Sequence, residues 1–127
     1  MPADLQVIHS PSAPEAIGPY SQAIAVNGLI YTSGQIAIDP ATGNIDAQDI
    51  EAQTRQVIRN LKAVLEAAGS DLGKVVKTTC FLQRMTDFAA FNSVYAQYFT
   101  GKPARSCVEA AKLPKNALVE IEAVAVK

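Results

Sequence analysis

Arg105, Cys107, Glu120 and Glu122 are the residues of this chain whose types could do chemistry in company. A guanidinium holds a small carboxylate through two parallel charged hydrogen bonds. A carboxylate can orient water and take its proton, and a thiol can attack once a base has activated it. The spacing around these residues is that of strands. From Ala104 to Glu109, alternation sends Arg105, Cys107 and Glu109 to one face, with Ser106 and Val108 on the other. From Leu118 to Val126, Val119, Ile121, Ala123 and Ala125 make an unbroken small apolar face opposite Leu118, Glu120, Glu122, Val124 and Val126. The apolar face is expected to meet the helices, and Arg105, Cys107, Glu120 and Glu122 are then expected on the sheet's other face. Charge mixed there with Leu118, Val124 and Val126 predicts cover by a second copy of the chain. Residue types alone leave a plainer alternative open, in which Arg105 and Glu120 form a structural cross-strand ion pair. Cys107 reads more readily as a small buried residue than as a nucleophile, because no His stands ready to activate it.

The rest of the composition narrows the chemistry. The single His9 lies near the start, and the two cysteines, Cys80 and Cys107, have no CxxC spacing. This leaves too few ligands for a zinc site and no His for a Ser or Cys triad. Neither GxxxxGK[ST] nor GxGxxG is present to cradle phosphates. Eleven basic against twelve acidic residues give a net charge of -1, without the clustered Lys and Arg of a nucleic-acid surface, so no nucleic-acid partner is expected. No apolar run reaches the roughly 18 residues of a membrane helix, and Met1-Pro2-Ala3-Asp4 lacks the basic, then apolar, start of a secretory signal. The reading is a protein of the cytoplasm with no membrane partner and both thiols reduced. With 127 residues, 49% hydrophobic and 18% charged, the chain fits one globular domain spanning 1–127.

The elements that must position these residues follow from punctuation and period. Pro11, Pro14 and Pro19 make the stretch from His9 to Pro19 extended, anchored coil. Ala23 to Val26 and Leu29 to Ser33 flank Asn27-Gly28, which favours the positive backbone angles of a tight hairpin turn. From about Asp49 to Ala68, Val57, Ile58, Leu61, Val64, Leu65 and Ala68 recur at helical steps, and Gly69 is placed to end the helix. Lys74 to Leu82 suits a strand. A second helix is expected with Thr86 or Asp87 as cap and Phe88, Phe91, Tyr95, Tyr98 and Phe99 as one stripe, closed by Gly101 and Pro103. Asn92 falls about 40° around that helix from Phe88, at the stripe's edge. The order is ββαβαββ, an α+β domain with a mixed sheet and both helices on one face.

Several segments together carry a resemblance. They are Gly18-Pro19-Tyr20-Ser21-Gln22-Ala23, Ser33-Gly34-Gln35-Ile36, Asp87-Phe88 with Asn92 and Tyr95, Pro103-Ala104-Arg105-Ser106-Cys107-Val108-Glu109, Leu113-Pro114-Lys115 and Glu120-Ile121-Glu122-Ala123. From about Ala13 to its C-terminus the chain resembles the Rid family, also called YjgF, and within it the RidA subfamily of enamine/imine deaminases. The resemblance implies a chorismate-mutase-like α+β fold assembled as a homotrimer with clefts between subunits. It implies that Arg105 binds the substrate carboxylate, that Glu120 positions and activates water, and that Tyr20, Ser33, Asn92 and Cys107 line the same cleft. The implied reaction is hydrolysis of small 2-imino acids and their 2-amino-enoate tautomers, such as 2-aminoacrylate and 2-iminobutyrate released by pyridoxal-phosphate enzymes, to 2-keto acids and ammonia. No metal or organic cofactor is demanded by that chemistry. The alternative is a non-catalytic regulatory trimer that binds small 2-keto acids; ribonuclease and chaperone activities, attributed to relatives, rank behind both. The chain departs from many relatives in the short loop Thr100-Gly101-Lys102, which precedes the Arg105 strand.

Overall fold

The computed structural model of the chain describes residues 4–127; Met1 to Ala3, part of the start read as lacking a secretory signal, lie outside the described residues. The strands are β1 (Gln6–Ile8), β2 (Ala23–Val26), β3 (Leu29–Thr32), β4 (Val75–Leu82), β5 (Ala104–Glu109) and β6 (Val119–Val126), and the helices are α1 (Ile50–Ala67) and α2 (Phe88–Tyr98). The order is therefore βββαβαββ, which corrects the expected ββαβαββ by one strand at the start. The missed strand has three residues, too few for a period-two pattern, and is specified by its pairing with β2, Val7 opposite Ile24.

One six-stranded sheet runs β1-β2-β3-β6-β4-β5. Every neighbouring pair is antiparallel except β4 and β5, which are parallel and joined by α2, so the sheet is mixed. The β2–β3 hairpin turns on Asn27 and Gly28, at φ 53° and 77°, the left-handed angles that the Asn-Gly pair supplies with least strain.

Helix α1 starts where Asp49 accepts a hydrogen bond from the Ala52 N–H at 2.7 Å, and ends at Ala68 before the left-handed Gly69. Its buried stripe of Val57, Ile58, Leu61, Val64 and Leu65 packs on the sheet with Ile30, Leu82, Val119, Ile121 and Ala125. Helix α2 is led in by a single 3-10 turn, Met85–Asp87, and carries no side-chain cap hydrogen bond, so neither Thr86 nor Asp87 caps it as expected. Its aromatic stripe is formed: Phe91 and Tyr95 lie 5.5 Å apart by ring centroids, and Tyr95 and Phe99 stack at 4.4 Å. The Thr78 and Tyr95 hydroxyls share a 2.7 Å hydrogen bond that ties α2 to β4 on the face that α1 also covers.

The other sheet face carries no helix. Val7, Tyr31, Val108 and Val126 are all exposed there, among Glu120, Glu122 and Val124. The core beneath α1 is packed without exposure, so Leu61→Ala is expected to lower the unfolding free energy by about 2–5 kcal/mol, read from urea titration. A loss below about 1 kcal/mol would contradict the packing described.

Candidate active site

Register across three strands decides where the chemical groups stand. Directly paired residues of neighbouring strands point to the same side. Thr78 pairs with both Arg105 and Ala123, and Cys80 pairs with both Cys107 and Ile121. Arg105 and Cys107 therefore share the helix-covered face with Ala123 and Ile121. Glu120 pairs with Phe81, which pairs with Val108, and lies on the open face with Glu122. This corrects the expectation that Arg105, Cys107, Glu120 and Glu122 occupy one face. Alternation fixes parity within each strand, but the phase between β5 and β6 is set by β4, which lies between them. A cross-strand ion pair between Arg105 and Glu120 is excluded by the same geometry.

The Arg105 half of the site is built by α2. The guanidinium carbon lies 4.8 Å from the centroid of the Tyr95 ring, 5.5 Å from Phe88 and 5.8 Å from Phe91. Arg105 Nη1 donates to Asn92 Oδ1 at 2.7 Å. Aromatic faces attract a cation, and a guanidinium stacks on them while its edge donors stay free for a planar anion. No ion pair among the described residues includes Arg105. It is a half-buried cation, fixed in orientation and without a carboxylate. Cys107 follows on the same face, half-buried, its thiol pushed up by burial and drawn down by Arg105. Cys80, beside it on β4, is fully buried and pushed up to about 12 by desolvation; it is a core thiol.

The Glu120 half is a cleft of about 400 Å³ whose lining includes Pro14, Tyr20, Ser33, Gly34, Ile36 and Glu120. Ser33 stands at the end of β3, where its hydroxyl donates to the Ser21 carbonyl at 2.6 Å and its N–H to the Gln22 carbonyl at 2.9 Å. Gln22, to which the sequence assigns no role beyond its place in a resemblance segment, is buried and lines the cleft: it accepts from the Ser10 N–H and donates to the Ser10 and Pro14 carbonyls. Tyr20 is half-exposed at the rim. The Glu120 carboxyl is pushed above the ordinary carboxylate range by burial, and further by Glu122. Arg105 is not among the groups that act on it.

Of the six expected site residues, Tyr20, Ser33 and Glu120 thus meet in one cleft, while Asn92, Arg105 and Cys107 meet on the other side of the sheet. Among the described residues, no group of three or more His, Cys, Asp or Glu could hold a metal ion, and no helix is long and apolar enough to cross a membrane.

The endoribonuclease L-PSP family model matches residues 10–127 of the chain. The chain belongs to this family, the YjgF/Rid family. A RutC family protein of Pyrococcus horikoshii is 54% identical over 123 residues, covering 96% of this chain and 98% of its own length. The 2-iminobutanoate/2-iminopropanoate deaminase of Salmonella typhimurium is 48% identical over 126 residues, covering 96% and 98%. Among solved structures, that of Escherichia coli TdcF with bound serine superposes with a TM-score of 0.91 at 44% identity, covering 96% of this chain and 98% of that one.

In this YjgF/Rid chain the raised Glu120 carboxyl has a consequence for stability. The folded state holds the Glu120 proton more tightly than the unfolded one, so ionising it costs folding free energy. That cost is absent at pH below the unfolded pKa and complete above the folded one. Glu120→Gln is therefore expected to raise the urea midpoint at pH 7–8, with the gain shrinking towards roughly pH 4. A gain that does not change with pH would contradict the burial of this carboxylate.

Proposed function

We propose that the chain hydrolyses small 2-imino acids to 2-keto acids and ammonia, in sites shared between copies of a homotrimer. The observation that carries the reading is the state of Arg105: a half-buried guanidinium, clamped by Asn92 and three aromatic rings, with no carboxylate partner. Such a group is built to receive an anion, and a planar 2-imino acid carboxylate matches its fork. Glu120 on the opposite face is the complement, a carboxylate lining an open cleft with only another carboxylate acting on it. One chain cannot bring the two to a molecule of a few atoms, but a second copy can, if its Glu120 cleft meets the sheet at the edge strand β5, which carries Arg105. The apolar residues exposed on the uncovered sheet face, Val7, Tyr31, Val108 and Val126, favour docking between copies. The deaminase named for Salmonella typhimurium, at 48% identity, supports the same reading.

In the proposed mechanism Arg105 of one subunit holds the substrate carboxylate, and Asn92 keeps the guanidinium from rotating. Glu120 of the neighbouring subunit orients a water toward the C=N carbon. As the C–O bond forms, the C=N π pair moves to nitrogen, and the water proton passes to Glu120. With the imine bound as its protonated, iminium form, Glu120 returns that proton to the carbinolamine nitrogen and then takes the hydroxyl proton as the C–N bond breaks with its electron pair going to nitrogen, so that ammonia leaves, the carbonyl forms, and ammonia or water finally carries the proton off Glu120. A carboxyl whose pKa is raised towards neutrality is better matched to taking and returning this proton. Tyr20, Ser33 and Cys107 line the space and set its shape. The chemistry is completed by the side chains of the protein and needs no cofactor.

The test follows keto-acid release from 2-aminoacrylate and 2-iminobutyrate generated in place by a dehydratase. Wild type is expected to accelerate release, and Arg105→Ala to lose about a hundredfold in kcat/KM while keeping the mass of the assembly, three times the 13.5 kDa chain mass. Arg105→Lys should recover only part, because an ammonium lacks the fork. No acceleration by folded wild type, with 2-keto acids still binding, would overturn the deaminase in favour of a ligand-binding regulator. A wild-type mass equal to the single chain would overturn the shared site.

A further inference from the structure

Asn60 interrupts the apolar stripe of α1 and is 1% exposed, among Val57, Ile58, Leu61 and Val64. A buried amide in mid-helix is unfavourable unless every polar atom finds a partner. Here Nδ2 donates to the Ile36 carbonyl at 3.0 Å and to the Ile38 carbonyl at 2.9 Å, while Oδ1 accepts from Gln56 Nε2 at 2.9 Å. The two carbonyls belong to the segment that leaves β3 after Thr32 and forms the inner wall of the Glu120 cleft.

That segment is fixed on its other side too. Gln35 and Ile121 exchange both backbone hydrogen bonds, at 2.9 and 3.1 Å, which lays Gly34 directly against Glu120. A β-carbon on Gly34 would overlap the Glu120 carboxylate, falling 2.8 Å from Cδ. Gly34 has no positive φ, so its requirement here is space. The carboxylate rests where a side chain would otherwise be, on a segment held between β6 and the Asn60 amide.

We propose that Asn60 is a positioning residue for Glu120: by holding the Ile36 and Ile38 carbonyls it keeps the Gly34 backbone pressed against the carboxylate and so fixes where that carboxylate stands in the cleft. The kinetic consequence rests on the deaminase reading; the geometric one does not. The titratable and charged groups around Glu120 are Glu122 on its own strand, Lys77 further along the same face of β4, and Glu15 and Tyr20 across the cleft. None of them bonds to Asn60, so its removal acts on Glu120 through the wall and not through charge.

The experiment compares wild type, Asn60→Ala and Gly34→Ala by two readouts. The first is the titration of Glu120, followed by carboxyl ¹³C NMR; the second is the split between kcat and KM for 2-iminobutyrate. Loosening the wall admits water to a carboxylate now desolvated, so the Glu120 midpoint is expected to move down towards that of an ordinary glutamate in Asn60→Ala. Gly34→Ala, which pushes the carboxylate off its seat, should shift it in the same direction. In both, kcat is expected to fall about tenfold to a hundredfold, with KM within about twofold because Arg105 still binds the carboxylate. A folded Asn60→Ala with the wild-type Glu120 midpoint overturns the proposal, whatever its melting temperature. Should that variant fail to fold, Asn60→Ser, which keeps one donor, is read by the same criterion. If wild type proves inactive yet the midpoint shifts, the positioning role stands and the deaminase reading falls. If wild type is active and the midpoint does not move, only the positioning role falls.

Discussion

The register of β5 on β4 and of β4 on β6 is the constraint on which the rest of this structure depends. Thr78 faces Arg105 on one side and Ala123 on the other, and side chains at paired positions share a face. From that one alignment it follows that the guanidinium lies under α2 and that Glu120, one residue out of phase with Ile121, lies on the open face. The sheet thus keeps these two opposite charges apart. Neither has an ion-pair partner among the described residues, and Glu120 lines an open cleft. In the proposed assembly the two charges reach one small anion where the edge strand β5 of one copy meets the Glu120 cleft of the next.

The two halves are fixed by different physics. Arg105 is held by attraction: the α2 rings offer their electron-rich faces, Asn92 takes one N–H, and the Thr78–Tyr95 hydrogen bond keeps the Tyr95 ring in place. A cation–π contact of this kind contributes about 0.5–2 kcal/mol, which offsets part of the cost of removing a guanidinium from water. Glu120 is held by exclusion. It rests against the bare Gly34 backbone, on a wall tied to β6 through Gln35 and to α1 through Asn60. Among the described residues no donor bonds to it, and burial dominates its titration. In the proposed reaction the first binds the substrate and the second exchanges a proton.

Much of the frame is legible in the sequence because its signals are local. Asn27-Gly28 specifies the hairpin through two left-handed residues, α1 announces itself by its apolar period and by Gly69, and β6 by strict alternation of Val119, Ile121, Ala123 and Ala125 with Glu120 and Glu122. The resemblance to the Rid family picks out Tyr20, Ser33, Asn92, Arg105, Cys107 and Glu120, but says nothing of the sheet that divides them. What stays hidden is non-local. β1 is too short for any period, and the face of Arg105 depends on a parallel pairing with Thr78, 27 residues earlier in the chain. Asn60 and Gln22 look like ordinary polar residues until the carbonyls they bind, 22 and 24 residues away for Asn60, are known. A sequence shows which residues alternate within a strand; it does not show how one strand is phased against the next.

Whether Arg105 and Glu120 act together only across two copies is decided most directly by mixing two inactive variants. Arg105→Ala and Glu120→Gln are unfolded together in equal amounts, refolded, and assayed for 2-iminobutyrate hydrolysis beside each variant refolded alone. In a closed ring of three, random mixing restores a complete site wherever an Arg105-bearing copy meets a Glu120-bearing neighbour in the right order, which predicts about a quarter of wild-type activity. Activity no greater than that of the separate variants, with mixed assemblies confirmed by mass, would show that the two residues do not share a site between subunits.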